Sequence, residues 1–225
     1  MNRSYLTQTA FNESSFKELS RKTAIHEAGH AAAIYLGNKQ KQLPPVFFQI
    51  FIAGKEPGLQ TAKIRRPWIA SVQGGRLIHT LPSSVTEATD NFSPAQKQAY
   101  LNAFEADMVN LLVGPLAEAN YVALRDDEII NASLVNLNAL HNYGGTADLQ
   151  VIQDYLDCWD GDETLRQQKI TALFAQAFEF INHRANWRAI NALANALLAN
   201  DKQVFDCEEI MTVLDAHFFG SKKAA

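Results

Sequence analysis

Cysteine is scarce in this 225-residue chain, long apolar runs are missing, and positive charge is never concentrated. Each shortage excludes a class of protein. The two cysteines, Cys158 and Cys207, lie far apart and match no zinc or redox spacing, so no disulfide framework is expected. They read as reduced, small, mostly buried apolar residues of a cytoplasmic protein. No apolar stretch approaches the roughly 18 residues that a membrane-spanning helix needs. The opening Met1-Asn2-Arg3-Ser4-Tyr5 lacks a hydrophobic signal region. Arg65-Arg66 and Lys222-Lys223 are too short to form a basic stripe, and net charge is −4, so no nucleic-acid partner is expected. No internal repeat is visible. What remains is ordinary for a soluble domain: 47% hydrophobic and 20% charged residues, enough for one sizeable core or two small ones.

The pattern along the chain predicts a mainly α fold with a small β-sheet (α+β). Residues 1–13 read as a polar lead-in and 218–225 as a tail. A single domain spans 14–217, with a first part at 14–158 and a helical part at 159–217. A helix is expected at about 14–37, with Ser14 or Ser15 as N-cap and Gly37-Asn38 as its stop. Val46 to Ile52 is β-branched and aromatic and lies between Pro45 and Gly54, which predicts a strand. Residues 56–74 read as a loop or an irregular strand pair. Leu77-Ile78-His79-Thr80-Leu81, ended by Pro82, reads as a second short strand. Ser93-Pro94 opens a helix to about Val113, Gly114-Pro115 interrupts it, and a further stretch runs to Arg125. Helical patterns follow at about 128–141, 146–158, 162–184, 187–200 and 206–217.

The most informative segment is His26-Glu27-Ala28-Gly29-His30, which fits His-Glu-x-x-His. On a helix, positions i and i+4 share a face, so His26 and His30 can present imidazole nitrogens to one metal ion. Glu27 points about 100° further round the axis, where it can reach a water at the metal without binding the metal itself. The surrounding Ala24, Ile25, Ala28, Ala31, Ala32, Ala33 and Ile34 are too apolar for a solvated face. Two histidines and a glutamate buried without partners would cost several kcal/mol, and a bound cation removes that cost. A catalytic zinc takes three protein ligands and keeps one position open. The third ligand has four candidates: Glu118, His79, His141 and Asp148. Glu118 lies on an apolar helical stretch and could bind the metal or support a ligating histidine from behind. Asp148 follows Gly144-Gly145 at a helix start, where pattern alone favours simple compensation of the helix dipole over a ligand role. Spacing does not choose between them.

Three segments and the closing stretch together resemble the protease domain of the FtsH-type ATP-dependent zinc metalloproteases. Thr23-Ala24-Ile25-His26-Glu27-Ala28-Gly29-His30-Ala31 resembles that family's zinc helix. Leu112-Val113-Gly114-Pro115-Leu116-Ala117-Glu118 resembles its Gly-Gly-Arg-Leu-Ala-Glu-Glu segment. Gly144-Gly145-Thr146-Ala147-Asp148-Leu149 resembles its Gly-Ala-x-x-Asp-(Ile/Leu) segment, and Phe205-Asp206-Cys207-Glu208-Glu209-Ile210 its last short helix. The resemblance implies one Zn2+ per chain held by His26, His30 and Asp148. It puts Glu118 in support and Glu27 as the base that activates water for peptide hydrolysis. It also implies that Leu77 to Leu81 form the sheet edge on which an extended peptide pairs. The chain has no phosphate-binding Gly-x-x-x-x-Gly-Lys-(Ser/Thr), no ATPase module and no membrane span, so it resembles the protease domain alone. Peptides or unfolded segments are then the expected substrates. A homo-oligomer or a separate ATPase chain is the partner the resemblance suggests, and activity without that ATPase stays open. Segment 53–75 is longer than its counterpart and could cover the cleft. The competing readings are a catalytically idle relative, keeping zinc as a binding or regulatory module, and a helical scaffold with an accidental motif.

Overall fold

The computed structural model describes residues 13–53, 69–76, 78, 84–131 and 134–219. Helix α1 (Glu13–Ala32) runs on through a π-helical turn (Ala33–Gly37) into a short α2 (Asn38–Gln40). The expected caps are therefore absent at both ends. Ser14 and Ser15 lie inside the helix, and Gly37 keeps right-handed helical angles of φ −64° and ψ −44°. Burial explains the continuation, because Ala33, Ile34, Leu36 and Asn38 are all inside the molecule and hold the chain in register.

Helix α1 is the central element. It packs against α4 (Pro94–Arg125), α7 (Arg184–Ala199) and the sheet, chiefly its strand β2. Ala24, Ile25, Ala28, Ala31 and Ala32 have no exposed surface at all. This explains why the segment is apolar on every side, as a helix surrounded by protein must be.

The sheet has three strands, β1 (Phe48–Ala53), β2 (Ile69–Gly74) and β3 (Val204–Phe205), in the order β2-β1-β3. Both pairings are antiparallel, with Ile50 opposite Val72 on one side and Phe205 on the other. Period-2 alternation turns Phe48, Ile50 and Ile52 into the core and leaves Phe51 and Val204 outside. Strand β2 occupies the stretch expected to be a loop or irregular strand pair. Of the expected strand Leu77 to Leu81, only Ile78 falls among the described residues, and it packs partly buried against the core. Leu77, His79, Thr80 and Leu81 lie outside the described residues, as do 54–68 of the segment expected to cover the cleft.

After a short α3 (Val85–Ala88), α4 begins with a full capping box. Ser93 accepts from the Gln96 N–H, Gln96 caps in return, and Pro94 stands at the first position. The expected interruption at Gly114-Pro115 does not occur, for α4 runs unbroken to Arg125. An interior proline costs about 3 kcal/mol because its N–H is missing and its ring crowds the preceding turn. Packing of Leu112, Val113, Leu116 and Ala117, none with any exposed surface, outweighs that cost. The helix expected at 128–141 shrinks to a 3₁₀ segment (Leu137–Tyr143). Helices α5 (Thr146–Cys158), α6 (Glu163–Asn182), α7 and α8 (Cys207–Phe219) fall within a few residues of their predicted positions. The molecule is thus mainly α with a small antiparallel sheet, as the pattern predicts. No helix among the described residues is long and apolar enough to cross a membrane.

Candidate metal centre

Three elements meet where α1 crosses α4. His26 and His30 lie one turn apart on α1, with ring centroids 4.8 Å apart. Asp148, in the first turn of α5, reaches across to both. Its Oδ2 is 3.2 Å from His26 Nε2 and its Oδ1 is 3.2 Å from His30 Nε2. The two rings therefore converge on one carboxylate.

These distances permit a test of fit. Zinc bonds of about 2.0–2.2 Å in a tetrahedral shell put neighbouring ligand atoms roughly 3.3–3.5 Å apart. The imidazole-to-carboxylate distances are close to that edge length, and all three ligand atoms lie within 4.8 Å of one another. The donor set of two imidazoles and a carboxylate suits a borderline-soft divalent ion.

The far sides of the rings agree with this assignment. His30 Nδ1 is 2.8 Å from the backbone carbonyl oxygen of Asn110. A carbonyl can only accept, so Nδ1 carries the proton and Nε2 is the nitrogen free to bind a cation. His26 Nδ1 faces Glu118 Oε2 at 3.4 Å. Glu118 thus sits on the side of the His26 ring that faces away from Asp148.

Two glycines make room for the arrangement. A Cβ on Gly114 would lie 2.3 Å from the His30 ring, and one on Gly29 would lie 2.9 Å from Ala117 Cβ. The α1–α4 crossing is therefore close because small residues face each other. Gly144 has φ +72°, and a Cβ there would crowd Glu118 Oε2 at 3.1 Å and His26 Nδ1 at 3.2 Å. It lets the chain turn from the 3₁₀ segment into α5 directly beside the centre.

Glu27 is 9% exposed and points away from the ligand face of α1, toward the sheet. Its Oε2 accepts the backbone N–H of Val72 at 2.8 Å. That N–H is turned away from β1, so the side of β2 that faces Glu27 is the free edge of the sheet among the described residues.

The charges are strongly coupled. Burial lowers the basicity of His26, but Asp148, Glu118 and Glu27 outweigh it and push its pKa up to about 10. His30 is pulled down by burial and raised on balance by Asp148. Burial raises Asp148, yet the two imidazoles hold it below the usual carboxylate range. Burial pushes Glu27 up despite both histidines and the Val72 N–H. The pocket demands positive charge between the two Nε2 atoms and the Asp148 carboxylate. Two adjacent imidazoliums supply it only against their mutual repulsion, whereas one divalent cation supplies it without that penalty.

The structure thus brings together His26, His30, Asp148, Glu27 and Glu118. His141 is not in the group. It is exposed near the end of the 3₁₀ segment, with Nδ1 3.4 Å from Thr146 Oγ1. His79 lies outside the described residues. Residue-type patterns did not reveal the Asn110 carbonyl or the Val72 N–H, because backbone groups carry no sequence signal. Gly114 was visible, but as a helix breaker and not as the space for a histidine ring. No protein-family model matches the chain, and no curated protein matches it.

Proposed function

We propose that the protein is a zinc-dependent metallopeptidase acting on peptides or unfolded segments. The observation that carries this reading is the convergence of both Nε2 atoms on Asp148 while Glu27 stands apart beside an edge of β2 that pairs with no other strand among the described residues. A structural metal site needs ligands only. The separate, buried carboxylate supports a catalytic site, since a base must be close to the metal without joining its shell.

His26, His30 and Asp148 would hold the zinc. When bound, it supplies Lewis acidity, polarising a carbonyl and making water acidic near neutral pH. Glu27 takes the proton of the attacking water on its carboxylate and delivers it to the leaving amine. The Val72 N–H fixes one Glu27 oxygen and leaves the other for proton transfer. Glu118 and the Asn110 carbonyl hold the two rings in the tautomer that presents Nε2. An extended peptide would pair with the outer edge of β2, where backbone hydrogen bonding tolerates many sequences.

Glu27→Gln keeps the shape and loses the base. The expected result is unchanged zinc content with peptide turnover reduced by about 10²-fold or more. Hydrolysis of an unstructured casein or peptide mixture at the wild-type rate by that variant would refute the role of Glu27.

A further inference from the structure

Away from the ligands, one buried carboxylate on α4 ties together the end of β2 and helix α5, which flank the centre. Asp107 is 7% exposed, in the interior of α4. Its Oδ1 accepts from Arg76 Nη1 at 2.9 Å and its Oδ2 from the Tyr155 hydroxyl at 2.9 Å. Arg76 lies two positions past the end of β2, four after Val72, and also donates to the Pro44 carbonyl at 3.2 Å. Tyr155 is 2% exposed and lies two turns along α5 from Asp148. Residues seven apart share one face of a helix. Asp107 itself stands one turn before Asn110, whose carbonyl orients His30.

We propose that Asp107 is a positioning residue that holds β2, α4 and α5 in register at the centre; this rests on the metallopeptidase reading. Its Arg76 arm fixes the end of β2, hence the Val72 N–H and the Glu27 carboxylate. Its Tyr155 arm fixes the roll of α5, hence the aim of Asp148 at both histidines. Its own helix carries the support of His30. Interactions of this kind order a site because a ligand held by one contact can swing, whereas an element pinned at two points cannot. The arms serve different parts of the site, and this separates positioning from mere stability.

Tyr155→Phe removes only a hydroxyl, and Arg76→Lys keeps the charge while losing the planar fork. Two readouts are taken on each folded variant: zinc affinity by competition with a chromophoric chelator, and hydrogen exchange of the Val72 amide relative to amides of α7. Tyr155→Phe is expected to weaken zinc binding about tenfold with Val72 exchange unchanged. Arg76→Lys is expected to speed Val72 exchange about tenfold and leave zinc affinity within about twofold. Both readouts moving together in both variants, or neither moving, would overturn the proposal. A wild-type protein that binds no zinc would instead refute the metallopeptidase reading, while the exchange of Val72 in Arg76→Lys would still decide the Arg76 arm.

Discussion

His26 shows how much a single side chain can report about the site. With Asp148, Glu118 and Glu27 around it, its pKa rises from 6.5 to about 10. A raised pKa in the folded state stabilises the protein fully below 6.5, and that stabilisation is lost as pH rises toward 10. Asp148, held low, contributes in the opposite direction, above its ordinary value near 3.8, and is lost only in acid. Zinc competes with the same protons, so its affinity grows as they leave. In chelator the melting temperature is therefore expected to fall between about pH 6.5 and about pH 8.5, while the gain in melting temperature on adding zinc rises over that range. His26→Gln should flatten both trends. Parallel slopes with and without zinc would contradict the shared use of these groups by protons and metal. At this scale the sequence was readable where chemistry lies in side chains. His26, Glu27 and His30 follow from spacing alone. Asp148 and Glu118 did not, because nothing local separates a ligand from a helix-dipole partner or from a supporting carboxylate. The resemblance chose Asp148, and the crossing of α5 and α4 with α1 brings Asp148 to both imidazole Nε2 atoms and Glu118 to His26 Nδ1.

At the scale of elements, the decisive contact is that crossing of α1 and α4. Gly29 against Ala117 and Gly114 against the His30 ring let the two helices approach closely enough for α4 to supply both Asn110 and Glu118. Gly114→Ala would place a methyl group 2.3 Å from the His30 ring. The ring must then swing or the helices must part. We expect a loss of about 1–3 kcal/mol in urea unfolding, together with weakened zinc binding. Wild-type stability and affinity in this variant would show that the close approach is not needed. Gly114-Pro115 also shows why a local breaker signal failed. Proline removes one hydrogen bond, but the fully buried residues around it bind α4 to α1 from both sides of the break, and tertiary packing overrides local propensity. The helix expected at 128–141 failed for the opposite reason. Ile129 is 90% and Leu134 77% exposed, so only part of the apolar pattern, with Ile130 and Leu140, reaches the core, and no continuous helix face is buried. The long amphipathic stretches that became α5, α6 and α7 were legible because pattern and packing agree.

In the whole molecule, the helical part is no appendage. Helix α7 packs along α1, α6 along α4, and α8 along α7, so residues 14–158 and 159–217 share one core. Ile190, Leu193 and Leu197 are fully buried in it. A fragment ending at residue 158 would lack α7 and uncover the side of α1 that packs on it. It is expected to lack a cooperative thermal transition, as seen by near-ultraviolet circular dichroism. A sharp transition in that fragment would mean that the centre stands on its own. The fold also separates the three carboxylates: Asp148 faces both imidazoles, Glu118 stands behind the His26 ring, and Glu27 faces the sheet. Calorimetric zinc titration of the whole chain and two variants tests this most directly. One zinc per wild-type chain is expected, with a large loss of affinity in Asp148→Asn and a smaller loss, about 10- to 100-fold, in Glu118→Gln. No binding by the wild-type protein, or a greater loss in Glu118→Gln than in Asp148→Asn, would contradict this expectation.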